Sequence, residues 1–187
     1  MGVHDSLSSA LRALNSLART GWMLRGVPPS QAETVAQHSY TAAVLALELA
    51  WEARSRGVEV DPLRASVIAL LHDFAEAWVG DIPKPAGLEA AKLAAEERAI
   101  EGEAPLSPLA KSLYREFNES RTREALIARA AELLATHLAA TWYAGLGYPV
   151  DDILENTLRA AIKVAEKAGV GEAFKALLER LGLPRPP

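Results

Sequence analysis

Apolar residues recur at helical spacing along most of this chain, and no segment alternates apolar and polar residues as a half-buried strand does. The first amphipathic helix is predicted over residues 5 to 18. Residues 19 to 29 hold two glycines and two prolines, so we predict an irregular loop there. A long helix is predicted over residues 33 to 56, because that stretch is rich in alanine, leucine and glutamate and Gly57 follows it.

The helical pattern continues to the end of the chain. Asp61 and Pro62 form a strong start signal, and the helix after them is predicted over residues 63 to 79. Further helices are predicted over residues 88 to 101, 108 to 117, 121 to 144, 151 to 169 and 172 to 181. No repeat stands out and no long linker divides the chain, so we predict an all-α, single-domain helical bundle spanning residues 1 to 187.

Composition narrows the possible metal chemistry and the compartment. The 187 residues include no cysteine, which leaves imidazole and carboxylate as the realistic metal ligands and favours an intracellular, cytoplasmic protein. The most apolar stretch, residues 42 to 51, contains Glu48 and is too short for a membrane span. We therefore expect a soluble protein with no membrane partner.

Charge argues against a nucleic-acid polymer as a partner. The formal net charge is −4 and the isoelectric point is about 5.6, whereas a nucleic-acid surface usually shows an excess of clustered lysine and arginine. A small anionic substrate needs only local positive charge. Arg19, Arg25, Lys84 and a bound cation could supply it.

Three residues suggest a metal site. His38 lies in one predicted helix, and the adjacent pair His72 and Asp73 lies in the next. On a continuous helix, Glu76 would follow His72 at i+4 and Asp73 at i+3, so these heads can converge. Two imidazoles and a carboxylate suit a divalent transition metal, and three protein ligands leave a coordination position open for chemistry.

The alternative interpretation is that both histidines are ordinary core residues and that the acids lie on a helix surface. Apolar neighbours weaken this interpretation. Leu71 precedes the His72–Asp73 pair and Phe74 follows it, and ionised groups in an apolar setting need partners or a metal.

Two segments resemble the paired signatures of the HD-domain 5′-deoxynucleotidases. They are residues 33 to 39, which read ETVAQHS, and residues 72 to 85, which read HDFAEAWVGDIPKP. The resemblance reaches from about Arg19 to Ile100. It implies that His38, His72 and Asp73 bind the metal.

The same resemblance implies roles for residues around the metal. Glu76 and Asp81 would be needed for turnover, Arg19 would bind the phosphate, and Trp22 would lie beside the deoxyribose. We add Lys84 as a second cation that could hold phosphate charge. Each also has a simpler interpretation. Trp22 could be a hydrophobic plug, Arg19 a cation at a helix C-terminus, and Asp81 a turn-stabilising residue.

One position departs from the family pattern. Members of this superfamily usually complete the metal site with an aspartate on a later helix, where Ala131 stands in the best-matching segment. Glu132 is adjacent, but one residue turns a helix by about 100°, so it replaces the aspartate only if the register or the helix rotation differs. The site could thus have three protein ligands, a fourth from Glu132, or be degenerate.

The predicted function is the hydrolysis of a phosphomonoester, a deoxyribonucleoside 5′-monophosphate, to deoxynucleoside and phosphate. The predicted cofactor is one divalent transition metal ion, Mn, Co, Zn, Ni or Fe, which would polarise the phosphoryl group and make a water more acidic. The resemblance implies a homodimer. Two alternatives stay open: a degenerate nucleotide- or metal-binding protein with little activity, and a plain helical interaction protein.

Overall fold

The computed structural model describes residues 6 to 83 and 87 to 183, and helices make up its architecture. In chain order the helices are α1 (Leu7–Ser16), α2 (Thr20–Met23), α3 (Val35–Ser55), α4 (Pro62–Leu71), α5 (Glu76–Val79), α6 (Glu89–Arg98), α7 (Pro108–Glu119), α8 (Arg123–Gly145), α9 (Asp151–Lys167) and α10 (Gly171–Arg180). A π-helical turn, Ala99–Glu103, continues α6. No strand occurs in the described ranges, and the predicted all-α, single-domain fold class is confirmed.

Side-chain caps fix where the main helices begin. Thr34 accepts a hydrogen bond from the backbone amide of Gln37, and the Gln37 side chain accepts one from the Thr34 amide. This reciprocal pair satisfies two amide groups that a helix start leaves without partners. Asp61 caps α4 in front of Pro62, and Ser107 caps α7. The cap at Thr34 sets the register of α3 and therefore the direction in which His38 points.

Three buried clusters surround the region that contains the candidate site. The largest lies between α3, α4, α8, α9 and α10 and includes Leu49, Ile68, Ile127 and Leu134. A second cluster joins α1 to Phe74 and to Tyr114 of α7. The third packs Trp22 against Tyr143 of α8. Since apolar burial is the main favourable term in folding, these clusters hold the site's elements in place.

The helix predicted over residues 63 to 79 is interrupted, which corrects the sequence analysis. The helix α4 stops one residue before His72, and α5 begins three residues after Asp73. The Nδ1 atom of His72 lies 2.7 Å from the carbonyl oxygen of Ala69. In an unbroken α-helix the amide of Asp73 would use that carbonyl, so the imidazole replaces a backbone bond at the break.

Two other elements refine the prediction. The expected loop over residues 19 to 29 contains the short helix α2. An isolated antiparallel bridge joins Ala18 to Thr34, with the Arg19 amide donating to the Glu33 carbonyl at 2.9 Å. This bridge places the side chains of Arg19 and Glu33 beside the start of α3.

The outer surface retains large apolar side chains. Tyr40 is 67% exposed, Trp51 60% and Leu63 71%. Among the residues with described positions, no helix combines the length and the apolar character that crossing a membrane would require.

Candidate metal centre and its cavity

The structure brings His38, His72 and Asp73 together. His38 lies in the first turns of α3, while His72 and Asp73 follow α4, and α3 packs directly on α4. One potential ligand atom from each residue lies within 4.8 Å of the other two. These three residues could therefore hold one metal ion.

His38 is a buried imidazole near the start of α3. Its side chain is 0% exposed, and neither ring nitrogen has a hydrogen-bond partner among the described residues. The Glu33 carboxylate lies 3.8 Å from Nδ1, which is too far for a hydrogen bond. Burial, with the nearby charge of Arg19, lowers the pKa of His38 and keeps the imidazole neutral. A neutral imidazole has a lone pair that can bind a cation.

His72 and Asp73 face each other in a way that requires a positive charge between them. When the Nδ1–H of His72 donates to Ala69, the lone pair of Nε2 points toward Asp73 Oδ2, 3.0 Å away. Two lone pairs at that distance repel each other unless a proton or a cation lies between them. Burial lowers the pKa of His72, but the charge and hydrogen bond of Asp73, the charge of Glu132 and the Ala69 carbonyl together raise it by more, so the net shift is upward.

The Asp73 carboxylate is held in its ionised form. Burial would raise its pKa, but the charges of His72 and Arg19 outweigh burial and hold the pKa well below its usual range. Arg19 Nη1 donates to Asp73 Oδ2 at 3.3 Å. The donor set is thus two imidazole nitrogens and one ionised carboxylate. The unpartnered His38 nitrogens and the close contact between His72 and Asp73 both fit a divalent transition metal.

Arg19 and Glu33 form a charged pair next to this cluster, Arg19 beside Asp73 and Glu33 beside His38. The Nε atom of Arg19 lies 4.0 Å from Glu33 Oε1, which also accepts a hydrogen bond from the Trp22 indole at 2.9 Å. Arg19 therefore pairs with carboxylates rather than with the carbonyl groups that end α1. Glu33 was not among the predicted site residues, although it begins the segment of residues 33 to 39 that carries the resemblance.

Trp22 belongs to both the core and the site. It is 2% exposed and its ring centroid lies 4.9 Å from that of Tyr143, which matches the plug interpretation. It also lines the cavity described below.

Asp81 has a structural contact that fits the turn interpretation. Its carboxylate accepts a hydrogen bond from the Thr20 amide, and its carbonyl accepts one from the Thr20 hydroxyl at 2.9 Å. Gly80 precedes it with φ of 81°, in the left-handed region that favours glycine. Asp81 thus ties the end of α5 to the start of α2 while still lining the cavity.

Glu76 is a buried carboxyl group paired with a lysine from another helix. It is 2% exposed, and burial followed by the charge of Asp73 raises its pKa to about 8. Lys92 of α6 donates to Glu76 Oε1 at 2.7 Å, while Oε2 has no hydrogen-bond partner among the described residues. The sequence analysis did not identify Lys92. Its spacing of four residues from Glu96 on α6 was the only local signal.

A cavity of about 610 Å³ opens beside the cluster. Its volume lies within the range of typical small-molecule sites, roughly 300 to 1,000 Å³. Its lining includes Arg19, Trp22, His72, Asp73, Glu76, Asp81 and Lys92, together with Arg129 and Glu132 of α8 and Asn156 and Thr157 of α9. Charged and polar side chains from several helices thus line a space large enough for a small ligand.

Glu132, the predicted fourth metal ligand, and its neighbour Ala131 both lie on α8. Glu132 lines the cavity and its charge acts on His72, but it is not one of the three clustered residues. Ala131 is fully buried in the main core. Lys84 lies outside the described residues. The sequence departure at Ala131 therefore coincides with a carboxylate, Glu132, that faces the cavity from the next position.

The fold and the site define the class of this protein. A family model described as HD domain matches residues 11–158, and the chain belongs to this family. A Mus musculus relative named 5′-deoxynucleotidase HDDC2 is 34% identical over 113 residues, which cover 59% of this chain and 53% of the relative. The chain spans about half the length of this curated relative.

Solved structures show the same fold over nearly the whole chain. A Pyrococcus horikoshii protein is similar with a TM-score of 0.78 and 29% identity, covering 95% of this chain and 98% of that one. An HD-domain phosphohydrolase from Listeria innocua is similar with a TM-score of 0.71 and 23% identity, covering 97% of this chain and 89% of its own. At that identity the Listeria structure supports the fold alone.

Proposed function

We propose that this protein hydrolyses a phosphomonoester, a deoxyribonucleoside 5′-monophosphate, to deoxynucleoside and phosphate. The observation that carries this proposal is the cluster of His38, His72 and Asp73 beside a cavity whose wall also holds Arg19. The name of the mouse relative supports the choice of substrate.

The proposed cofactor is one divalent transition metal ion, Mn, Co, Zn, Ni or Fe, held by His38, His72 and Asp73. Such an ion supplies positive charge for the phosphoryl oxygens and makes a water more acidic. Glu132 stays a prediction as a fourth ligand, supported by its place on the cavity wall. A three-ligand site and a degenerate site are the other outcomes.

Substrate binding is assigned to Arg19, Trp22 and Lys84. The guanidinium of Arg19 is already anchored to Asp73 on one side, so its remaining donors can meet a phosphate in the cavity without much loss of side-chain freedom. Trp22 presents a rigid ring, fixed by Tyr143 and by its bond to Glu33, that can exclude a 2′-hydroxyl. Lys84 stays a prediction from the sequence.

Proton transfer is assigned to Glu76, with Asp81 as the second carboxylate of the proposal. A carboxyl group whose pKa is about 8 can take up and release a proton near neutral pH, and Glu76 has such a pKa. Asp81 holds Thr20 through one oxygen, so we assign it a part in closing the cavity as well as in turnover.

Assembly and location stay predictions. The exposed apolar side chains of Tyr40, Trp51 and Leu63 are compatible with the proposed homodimer. We also keep the proposals of a small-molecule nucleotide as partner and of a cytoplasmic location.

Phosphate release tests the proposal. Metal-stripped protein is supplied with Mn²⁺, Co²⁺ or Zn²⁺ and offered deoxyribonucleoside 5′-monophosphates, the matching ribonucleotides, 3′-monophosphates and dATP. We expect the fastest release from the deoxyribonucleoside 5′-monophosphates. A His38→Gln variant is the matched control for contaminating phosphatase. Nucleotide binding without release under any condition would establish the degenerate alternative instead.

A further inference from the structure

Lys92 reaches the site from a helix that contributes nothing to the ligand cluster. Its Nζ lies 2.7 Å from Glu76 Oε1 and 3.5 Å from Glu96 Oε1. The side chain is 22% exposed and lines the same cavity as His72 and Asp73. Lys92 is therefore a cation that the fold places next to the proposed proton-transfer group.

Lys92 contacts only one of the two carboxyl oxygens of Glu76. Oε1 is bound to the ammonium group, while Oε2 is buried without a hydrogen-bond partner among the described residues. A charge-assisted bond is short and directional, so it restricts rotation of the carboxyl group. Oε2 is thus the oxygen that is left to exchange a proton.

The lysine is in turn held by a second pair. Glu96 lies one turn further along α6, and its Oε2 accepts a hydrogen bond from the Tyr114 hydroxyl of α7 at 3.3 Å. A continuous row of polar contacts thus runs from Tyr114 through Glu96 and Lys92 to Glu76. A lysine whose ammonium group contacts two carboxylates is restricted to one geometry, whereas a solvent-exposed lysine is not.

We propose that Lys92 is a positioning residue that orients the Glu76 carboxyl group for proton transfer. The inference rests on the proposed function. A role for Lys92 as a phosphate ligand is less consistent with the structure, because its ammonium group already contacts the carboxylates of Glu76 and Glu96. Lys92 would therefore affect turnover more than substrate affinity.

Kinetics of Lys92→Met and Lys92→Arg variants with added metal test this inference. We expect kcat for Lys92→Met to fall about 100-fold, the loss that a displacement of about 1 Å can cause, with KM changed less than about twofold. Lys92→Arg keeps the charge and should recover about a tenth or more of the wild-type kcat, since guanidinium also pairs with carboxylate. Lys175→Met, which removes a lysine paired with Glu172 on the exposed surface of α10, is the matched control and should leave both constants unchanged.

Binding of inorganic phosphate, measured calorimetrically, separates positioning from direct contact. The dissociation constant for phosphate should be the same in wild type and Lys92→Met. A tenfold weaker phosphate affinity, or an unchanged kcat in an active protein, would overturn the inference and leave the proposed function intact. A wild-type protein inactive toward every substrate would defeat both.

A second variant tests the same inference if the Lys92→Met protein does not fold. Glu96→Gln leaves the lysine charge in place and loosens one of its two anchors. We expect a drop in kcat of about 3- to 10-fold with KM unchanged, because the ammonium group loses one of its two ionic partners. An unchanged kcat in this variant would also count against the inference.

Discussion

Glu76 should make the metal-free protein less stable as pH rises. The folded-state pKa of about 8 compares with an ordinary value of 4.5, and the causes are burial first and the charge of Asp73 second. Between these two pH values the folded protein keeps a proton that the unfolded chain has lost. Unfolding therefore releases a proton, and this contribution to stability is complete below pH 4.5 and is lost as pH rises toward 8.

The size of the effect follows from the proton difference. Each pH unit over which the two states differ by one proton changes the free energy of unfolding by about 1.4 kcal/mol. From pH 5 to pH 8 the free energy of unfolding therefore falls by about 3 kcal/mol because of Glu76, since the two states differ by less than one proton at both limits of this range. Glutamine cannot titrate, so Glu76→Gln should gain about 3 kcal/mol relative to wild type over this range.

Urea unfolding followed by circular dichroism at pH 5, 6, 7 and 8, in the presence of EDTA, measures this difference. Titrations common to both proteins cancel when the free energies are subtracted. Glu97→Gln, an exposed position on α6, is the matched control for the substitution itself. A difference between Glu76→Gln and wild type that does not change with pH would refute the reasoning, because it would place the Glu76 pKa at its ordinary value.

Three further variants test other parts of the site. Ala131→Asp should destabilise the metal-free protein by several kcal/mol in urea unfolding, because the side chain is buried in the main core. This variant should not raise metal content. A gain in both metal content and activity would mean that the natural site is impaired there. Arg19→Met should raise KM for the monophosphate roughly 10- to 100-fold in steady-state kinetics, because it removes charged donors from the cavity lining. An unchanged KM would show that Arg19 does not bind the phosphate. If the indole of Trp22 excludes the 2′-hydroxyl, Trp22→Phe should lower the preference for deoxyribonucleotide over ribonucleotide, measured as the ratio of their kcat/KM values, roughly tenfold. An unchanged ratio would support the plug interpretation alone.

Helical periodicity predicted most of the architecture because the principal helices bury one face against their neighbours. The cap signals at Asp61 and Ser107 also marked true starts. The break at His72 could not be predicted from the sequence. Apolar residues continue through it without glycine or proline, and it depends on a side-chain contact with the Ala69 carbonyl.

The candidate ligands were easier to predict than the residues that support them. His38, His72 and Asp73 stand out because unpaired polar groups in apolar helices need a partner. Glu33 and Lys92 acquire their roles through tertiary contacts, Glu33 with Arg19 and Trp22 and Lys92 with Glu76. Local spacing has no information about such contacts, because α6 is placed by packing rather than by its own sequence pattern.

Cobalt binding is the measurement that tests the central claim most directly. Metal-stripped wild type, titrated with Co²⁺ and followed by visible absorption and calorimetry, should bind one ion per chain. His38→Gln should weaken binding by more than about 100-fold, beyond the loss seen when an outer partner of a metal ligand is removed. His137→Gln, which alters a histidine bound to the Leu154 carbonyl outside the cluster, should bind as wild type does. Equal Co²⁺ affinity in wild type and His38→Gln, or no binding at all, would contradict the account.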